Sequence, residues 1–170
     1  MPMLLPAPPL QIANVPKLPP IAPAQSPNPC PLSAPTGQYR TAPGVNAGFD
    51  QTTAAMLSNA LANLNQQGIT PVITSSFRSP GQQAALGSSN SPFVITPAPV
   101  SWHEVGAAVD FGPNSNAGNF DAIVTALTQA GFVWGGNFQT PDPPHFQSQP
   151  AGTSPTLAQV QSCAQAAGGH

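Results

Sequence analysis

Charged residues are scarce in this chain. Lys, Arg, Asp and Glu make up 5% of its 170 residues, whereas about 25% is usual for a globular protein. The basic residues are only Lys17, Arg40 and Arg78, and the net charge is −2. Binding to a phosphate backbone requires several Lys or Arg residues close together. The composition therefore argues against a nucleic-acid partner.

Long apolar runs are also missing. No run reaches the 18 or more apolar residues of a membrane-spanning helix, so we expect no membrane span. The first nine residues contain four prolines and no basic residue, which is unlike a signal peptide. We therefore expect either that a signal segment has been removed or that the protein leaves its cell by another route.

Cysteine occurs only twice, at Cys30 and Cys163, far apart in the chain. Neither residue lies near a His-rich motif, which argues against a role in metal binding. A single pair in an exported protein commonly forms a disulfide, and such a bond would join the two ends of the chain. Two unrelated reduced thiols remain the alternative.

Proline is concentrated at the amino terminus. Residues 1–44 contain 13 of the 24 prolines and show no helical periodicity, which favours polyproline II or irregular extended structure. Two interpretations remain open: a disordered linker, or an arm that packs along the domain. Residues 45–170 are predicted to form one domain that ends in a helix over 154–167.

Helix and strand signals alternate after the arm. Leu57, Leu61 and Leu64 recur at helical spacing and predict a helix over 51–67. The other predicted elements are a strand at 69–77, a helical turn from residue 80, a loop at 87–100, a strand at 106–111, a helix from residue 120 and strands at 132–134 and 145–147. A last helix follows, with Ser154 as its N-cap and Pro155 at its first position. On this helix, Leu157, Val160 and Cys163 are expected to face inward. The sum is an α+β domain in which helices flank a small antiparallel sheet.

Most of the few acids and histidines fall into two short segments, 101–110 and 142–145. His and Asp are good zinc ligands, and an unligated carboxylate nearby can accept a proton from water that zinc has activated. The seven-residue spacing from His103 to Asp110 fits a loop that leads through Gly106 into a strand, and His145 would arrive on a neighbouring strand. This pattern predicts a zinc hydrolase.

The first segment matches the pattern Ser-x-His-x-x-Gly-x-Ala-x-Asp at every specified position, and the second has an acid three residues before a His. These motifs resemble the zinc peptidases of bacterial cell walls: D-alanyl-D-alanine carboxypeptidases, vancomycin-resistance dipeptidases and phage L-alanyl-D-glutamate endopeptidases. The segment 131–136 is similar to the endopeptidase branch. A further similarity is the Arg-Ser…Gln…Leu segment formed by Arg78, Ser79, Gln83 and Leu86.

The resemblance covers roughly residues 50–148, which form the family-like core, and implies a hedgehog-like D,D-peptidase fold with one Zn²⁺ per chain. It assigns zinc binding to His103, Asp110 and His145. It assigns Asp142 as the acid/base and Arg78 as the group that steadies a substrate carbonyl or carboxylate. Ser101 and Gln83, which are part of the matched motifs, are expected to support the site. Trp102 is expected to pack around the site or to contact substrate. Two positions depart from the family pattern: Asp142, where Glu is often found, and Gln147, where an acid is frequent.

The implied substrate is a peptidoglycan stem peptide, cut outside the cell or in the periplasm by a bacterial or phage-borne enzyme. Residues 131–136 and 142–145 favour an L-alanyl-D-glutamate endopeptidase. A D,D- or L,D-carboxypeptidase and a non-catalytic zinc-containing binding module are the alternatives. The arm is predicted either to pack on its own domain or to dock to a larger phage or secretion assembly. Glu104 is expected to be a solvated loop residue and His170 a disordered end.

Overall fold

The computed structural model describes residues 30, 32–86 and 101–166. Its elements, in chain order, are β1 (Arg40–Thr41), α1 (Gln51–Gln66), β2 (Val72–Ile73), α2 (Pro80–Leu86), a first 3₁₀ helix (Trp102–Val105), β3 (Ala108–Asp110), α3 (Phe120–Gln129), β4 (Val133–Trp134), a second 3₁₀ helix (Gly135–Asn137), β5 (His145–Gln147) and α4 (Leu157–Ala166). Within these residues, no helix has both the length and the apolar character needed to cross a membrane.

A three-stranded antiparallel sheet lies at the centre, with β5 between β3 and β4. Its register pairs Asp110 with His145 on β3 and β5, and Trp134 with Phe146 on β4 and β5. A separate parallel pair is formed by β1 and β2. The two pairings approach each other at a bridge between Ser75 and Asp110. The predicted α+β class with a small antiparallel sheet and flanking helices is confirmed.

The larger hydrophobic cluster lies between one face of this sheet and the helices α1 and α3. Asp50 begins α1 because its carboxylate accepts hydrogen bonds from the amides of Thr52 and Thr53, at 3.0 and 3.1 Å. The buried residues of the cluster are Phe49, Ala54, Leu57, Ala60, Leu61, Leu64, Ile73, Val109, Phe111, Ile123, Ala126, Leu127, Phe132 and Phe146. Side chains alternate across a strand, so the residues beside Val109 and Phe146 point to the opposite face.

A smaller hydrophobic cluster packs behind the first 3₁₀ helix, on the side where α4 lies. Its buried residues are Cys30, Trp102, Val105, Ala107, Ala108, Val160 and Cys163. Cys30 and Cys163 form a disulfide with their Cα atoms 5.3 Å apart. The indole N–H of Trp102 donates to the carbonyl of Thr153, at 2.9 Å, and so ties the 3₁₀ helix to the segment before α4.

Two strands differ from the expected ones. The strand predicted over 69–77 is regular only at Val72–Ile73, because the chain beyond Ser75 turns away and the amide of Arg78 donates to the carbonyl of His103, at 3.1 Å. The strand Arg40–Thr41 was not predicted. It lies within the Pro-rich segment 1–44, where two residues of pairing leave no periodic signal.

The last helix begins later than predicted, at Leu157. Thr156 rather than Ser154 caps it, because its hydroxyl accepts from the amide of Gln159 while the Gln159 side chain accepts from the amide of Thr156. Leu157 is 56% exposed, contrary to the expected inward orientation. At 3.6 residues per turn, each three-residue step rotates by about 60°, so Leu157 falls outside the face formed by Val160 and Cys163.

Candidate metal centre

His103 is held on the first 3₁₀ helix. Ser101 begins this helix by accepting from the amide of His103, at 3.3 Å, and Glu104 completes the capping box by accepting from the amide of Ser101, at 2.9 Å. Gly106 ends it with φ of +70°. A Cβ at Gly106 would lie 2.7 Å from both the amide nitrogen of Asp50 and a methyl group of Leu32, so only glycine suits both the backbone angle and the space.

A backbone carbonyl group determines the tautomer of the His103 ring. Nδ1 lies 2.7 Å from the carbonyl oxygen of Ser76. A carbonyl can only accept, so Nδ1 carries the hydrogen and Nε2 of the neutral ring keeps its lone pair. This Nε2 lies 3.1 Å from Oδ1 of Asp110 and 3.3 Å from Nδ1 of His145. The lone pair therefore points at the other two side chains.

Asp110 and His145 are directly paired residues of β3 and β5, so the sheet register brings them together. Oδ1 of Asp110 lies 3.2 Å from Nδ1 of His145. The far ring nitrogen of His145, Nε2, lies 3.0 Å from Oε1 of Gln147. Gln147 thus takes the ring hydrogen on the far side and leaves Nδ1 facing His103 and Asp110.

Three acceptor atoms therefore face one another: Nε2 of His103, Oδ1 of Asp110 and Nδ1 of His145. When both rings are neutral, their hydrogens lie on the other ring nitrogens, so no hydrogen lies between these three atoms. Their separations of 3.1 to 3.3 Å resemble the roughly 3.3 Å expected between ligands of a tetrahedral zinc ion bound at about 2.0–2.1 Å. Within the described residues, these three side chains form a group able to hold a metal ion. Their chemistry and spacing both fit a divalent cation.

The charges at this group favour an ionised Asp110. Burial alone would raise the pKa of Asp110, but the charges and hydrogen bonds of His103 and His145 hold it well below its ordinary value. Burial lowers the pKa of His103, with Asp110 opposing the shift. Burial would also lower the pKa of His145, yet its hydrogen bond and ion pair with Asp110 raise it. Because a metal ligand must be deprotonated, a bound cation would compete with protonation of His145.

Arg78 contacts the same group from the segment between β2 and α2. Its Nη2 donates to Oδ2 of Asp110 at 3.2 Å, its Nε to Ser75 at 3.0 Å and its Nη1 to Gln83 at 2.7 Å. The Asp110 carboxylate is therefore shared, with Oδ2 toward Arg78 and Oδ1 toward the two histidines. Gln83 is 1% exposed, and its side chain contacts the Arg78 guanidinium.

Asp142 lies in the turn before β5, and this turn is shaped by close packing. The amide of Asp142 donates to the carbonyl of Gly135, at 2.9 Å, and a Cβ on Gly135 would collide with the carbonyl of Asp142. A Cβ on Gly136 would collide with the ring of Trp134. The indole N–H of Trp134 donates to the carbonyl of Pro143, at 2.7 Å. Both glycines and the tryptophan thus have roles in placing Asp142.

The carboxyl group of Asp142 is half-buried and titrates unusually. Burial and the negative charge of Asp110 raise its pKa to about 6, against the opposing effects of His145 and Arg78. A carboxylate with a pKa near neutrality can both accept and return a proton under physiological conditions. Asp142 therefore has the electrostatic character of a general base beside the three acceptor atoms.

Residues 95–148 match the family model described as D-alanyl-D-alanine carboxypeptidase. The match covers about a third of the chain, and this segment is therefore similar to that family. A search among curated proteins found no match. Among solved structures, the crystal structure of the L-Ala D-Glu endopeptidase ChiX of Serratia marcescens is similar, with a TM-score of 0.41 and 24% identity over 58% of this chain and 79% of that chain.

The predicted resemblance to this peptidase family is thus confirmed over residues 95–148, and it supports the prediction of a metallopeptidase. The structure brings His103, Asp110 and His145 together as the peptidase motifs suggest, with Arg78 beside them. Trp102 is 5% exposed and packs in the smaller cluster. His170 lies outside the described residues.

The expectation of a solvated Glu104 was wrong, because this residue is fully buried. Its role in the capping box folds the side chain back over Ser101, beneath the 3₁₀ helix. One carboxylate oxygen accepts from Ser101, and the other has no hydrogen-bond partner within the described part of the chain. Burial raises the pKa of Glu104.

Two contacts of the candidate metal centre were not predicted as functional. The carbonyl of Ser76 orients His103, and the side chain of Gln147 orients His145. Backbone carbonyls carry no residue-type signal, so the first contact could not be found from sequence. Gln147 could have been found, because residues two apart on a strand share a face and His145 was already a predicted ligand.

Proposed function

We propose that this protein is a zinc-dependent peptidase that hydrolyses peptidoglycan stem peptides, acting on the bond between L-alanine and D-glutamate. The observation that carries the proposal is the convergence of three acceptor atoms, from His103, Asp110 and His145, close to a carboxyl group whose pKa is about 6. The match of residues 95–148 to a carboxypeptidase family supports a cell-wall peptide as the substrate class.

His103, Asp110 and His145 would hold one zinc ion per chain, with two nitrogen donors and one oxygen donor. Three protein ligands are typical of catalytic zinc sites, in which the fourth position stays open. The bound ion would supply Lewis acidity toward the amide carbonyl and toward water. The ring hydrogens that Ser76 and Gln147 accept keep both imidazoles in the tautomers that binding requires.

Asp142 would act as general base and then general acid. It takes a proton from the attacking water as the new carbon–oxygen bond forms, and it returns that proton to the amide nitrogen as the carbon–nitrogen bond breaks. Its raised pKa suits both steps. The packing of Gly135 and Trp134 around the turn keeps the carboxylate in place.

Arg78 would stabilise the negative charge that develops on the carbonyl oxygen. Its guanidinium group is braced through three of its N–H groups by Ser75, Gln83 and Asp110. A guanidinium has five N–H donors, so substrate can be bound without breaking this support. Donors positioned before reaction stabilise a transition state at little reorganisation cost.

The substitution Asp142→Asn tests the proposal. It removes the proton acceptor but none of the proposed ligands, so we expect zinc content and fold to be retained while turnover on purified cell walls falls about 10²–10⁴-fold. Asp121→Asn, an exposed carboxylate on α3, is the matched control and should behave as the unsubstituted protein. Near-normal turnover in Asp142→Asn would reject Asp142 as the base. Zinc binding without turnover in the unsubstituted protein would favour a binding module.

The scissile bond requires its own experiment. The residues that favour an endopeptidase, at 134–136 and 142–145, have packing roles that support Asp142 whatever the bond. An L-alanyl-D-glutamate endopeptidase should release peptides that begin with glutamate and leave alanine on the glycan. A D,D- or L,D-carboxypeptidase should instead release single amino acids and shorten the stem. Mass spectrometry of the products from purified walls separates these outcomes.

We also propose that the enzyme acts outside the cell or in the periplasm, where peptidoglycan lies. A disulfide between Cys30 and Cys163 supports an oxidising compartment. Residues 1–29 lie outside the described residues, so docking of this segment to a larger assembly stays a prediction. A pull-down with a protein that lacks residues 1–29 as the control would test it.

A further inference from the structure

We propose that Gln147 is a positioning residue that sets the tautomer of His145 and thereby aims Nδ1 of that ring at the metal. The inference rests on the proposed zinc site and adds to it a residue whose contact is with a ligand rather than with the metal.

The strand places Gln147 beside the ring. His145 and Gln147 are two residues apart on β5, so their side chains leave the same face of the sheet. Phe146, between them, faces the larger cluster. Oε1 of Gln147 lies 3.0 Å from Nε2 of His145, which is hydrogen-bonding distance.

The amide of Gln147 can take only one orientation. Its Nε2 lies 2.9 Å from the carbonyl oxygens of both Gln149 and Pro150. Carbonyl oxygens accept and do not donate, so the NH₂ group must face them and Oε1 must face His145. An acceptor at that position requires the ring to carry its hydrogen on Nε2. The lone pair of the neutral ring is then on Nδ1, which faces Asp110 and His103.

Burial makes this orientation costly to lose. Gln147 is 4% exposed, so water has little access to replace its hydrogen bonds. A ring that rotated or changed tautomer would leave the Gln147 oxygen without its donor in a dry environment, which is unfavourable. The carbonyl groups of residues 149 and 150 thus hold the Gln147 amide, and this amide in turn holds the His145 ring.

Replacement by methionine tests the proposal. Gln147→Met keeps a side chain of similar length but removes both the oxygen that faces His145 and the NH₂ group that faces Gln149 and Pro150. Partners of metal-binding histidines typically contribute about 10–100-fold in metal affinity, so we expect the zinc dissociation constant to rise by about that factor in competition with a chelator. Ser148→Ala is the matched control, because it removes a buried hydroxyl of the adjacent residue, which contacts Thr53 and Ala107. It should lower stability without changing zinc affinity.

A second measurement does not depend on any variant. Nitrogen NMR of the zinc-loaded, unsubstituted protein should show hydrogen on Nε2 of His145 and none on Nδ1. Hydrogen on Nδ1, or unchanged zinc affinity in a folded Gln147→Met protein, would overturn the role of Gln147 while leaving the zinc site intact. Failure of the unsubstituted protein to bind zinc would overturn the proposed function and this inference with it.

Discussion

The two halves of the metal centre rest on different supports. Asp110 and His145 lie on neighbouring strands whose other face packs into the larger cluster through Val109 and Phe146. His103 lies on a 3₁₀ helix of four residues, an element with poorer hydrogen-bond geometry than an α-helix. This helix depends on the smaller cluster, which contains the Cys30–Cys163 disulfide.

This difference shows two ways in which the chain supports a proposed ligand. The sheet half is stabilised by strand pairing and by a contiguous hydrophobic core. The helix half combines a capping box, a glycine stop and a covalent link that ties α4 behind it. The motif at 101–110 and the two cysteines are far apart in sequence, yet Trp102 contacts the segment before α4 next to a proposed ligand.

The largest effect should follow from removing one ligand from either half. His103→Ala and His145→Ala each leave two of the three proposed ligands, so we expect loss of bound zinc and of measurable activity in both. Metal analysis after dialysis, with Asp121→Asn as control, measures this. Full zinc occupancy in both variants would contradict the ligand assignment.

Breaking the disulfide should affect the two halves unequally. Closing a loop with a sequence separation of 133 residues is worth on the order of 4–5 kcal/mol in the chain-entropy model. We therefore expect a Cys30→Ala/Cys163→Ala protein to lose stability of that order and to bind zinc more weakly.

Hydrogen exchange locates that loss. Amides at 101–107 should exchange faster in the Cys30→Ala/Cys163→Ala protein, whereas β3 and β5 keep most of their protection. Phe146→Ala is the opposite perturbation, with a typical cost of about 3–5 kcal/mol in the larger cluster. Equal acceleration in both regions for both variants would show that the two supports are not separable.

A smaller perturbation of the helix half is Val160→Ala. Val160 is 1% exposed in the smaller cluster, so we expect a loss of about 2 kcal/mol in the free energy of unfolding. Leu157→Ala, on the same helix but 56% exposed, should change stability by no more than about 0.5 kcal/mol. Chemical denaturation of both proteins checks the contrast, and equal losses would contradict the orientation of α4.

The pH dependence of activity tests the role of Asp142, which lies next to the sheet half in the turn before β5. Asp142 must be ionised to accept a proton, so activity should fall as the pH drops through its pKa, by about tenfold per pH unit below it. That pKa is about 6 without metal, and a nearby cation favours the carboxylate and lowers it. We expect an acid limb in kcat/KM with its midpoint at or below about pH 6. Zinc content measured at each pH separates this effect from loss of the metal.

Local sequence patterns were sufficient for several features. The spacing of Leu57, Leu61 and Leu64 indicates α1, because one helix buries these residues on one face. The two motifs at 101–110 and 142–145 indicate which side chains meet, because their spacing suits a turn that enters a strand and a neighbouring strand. The isolated pair of cysteines suggested a bond that the structure contains.

What the sequence by itself determined is therefore the identity of the candidate ligands and the regular helices, since both are encoded within a few residues. Only the tertiary structure decided that Glu104 is buried, that Arg78 shares Asp110 with the histidines, and which contacts orient each imidazole. The contact from Ser76 to His103 spans 27 residues and involves a backbone carbonyl. Such groups are the same in every residue, so their role depends on where folding places them.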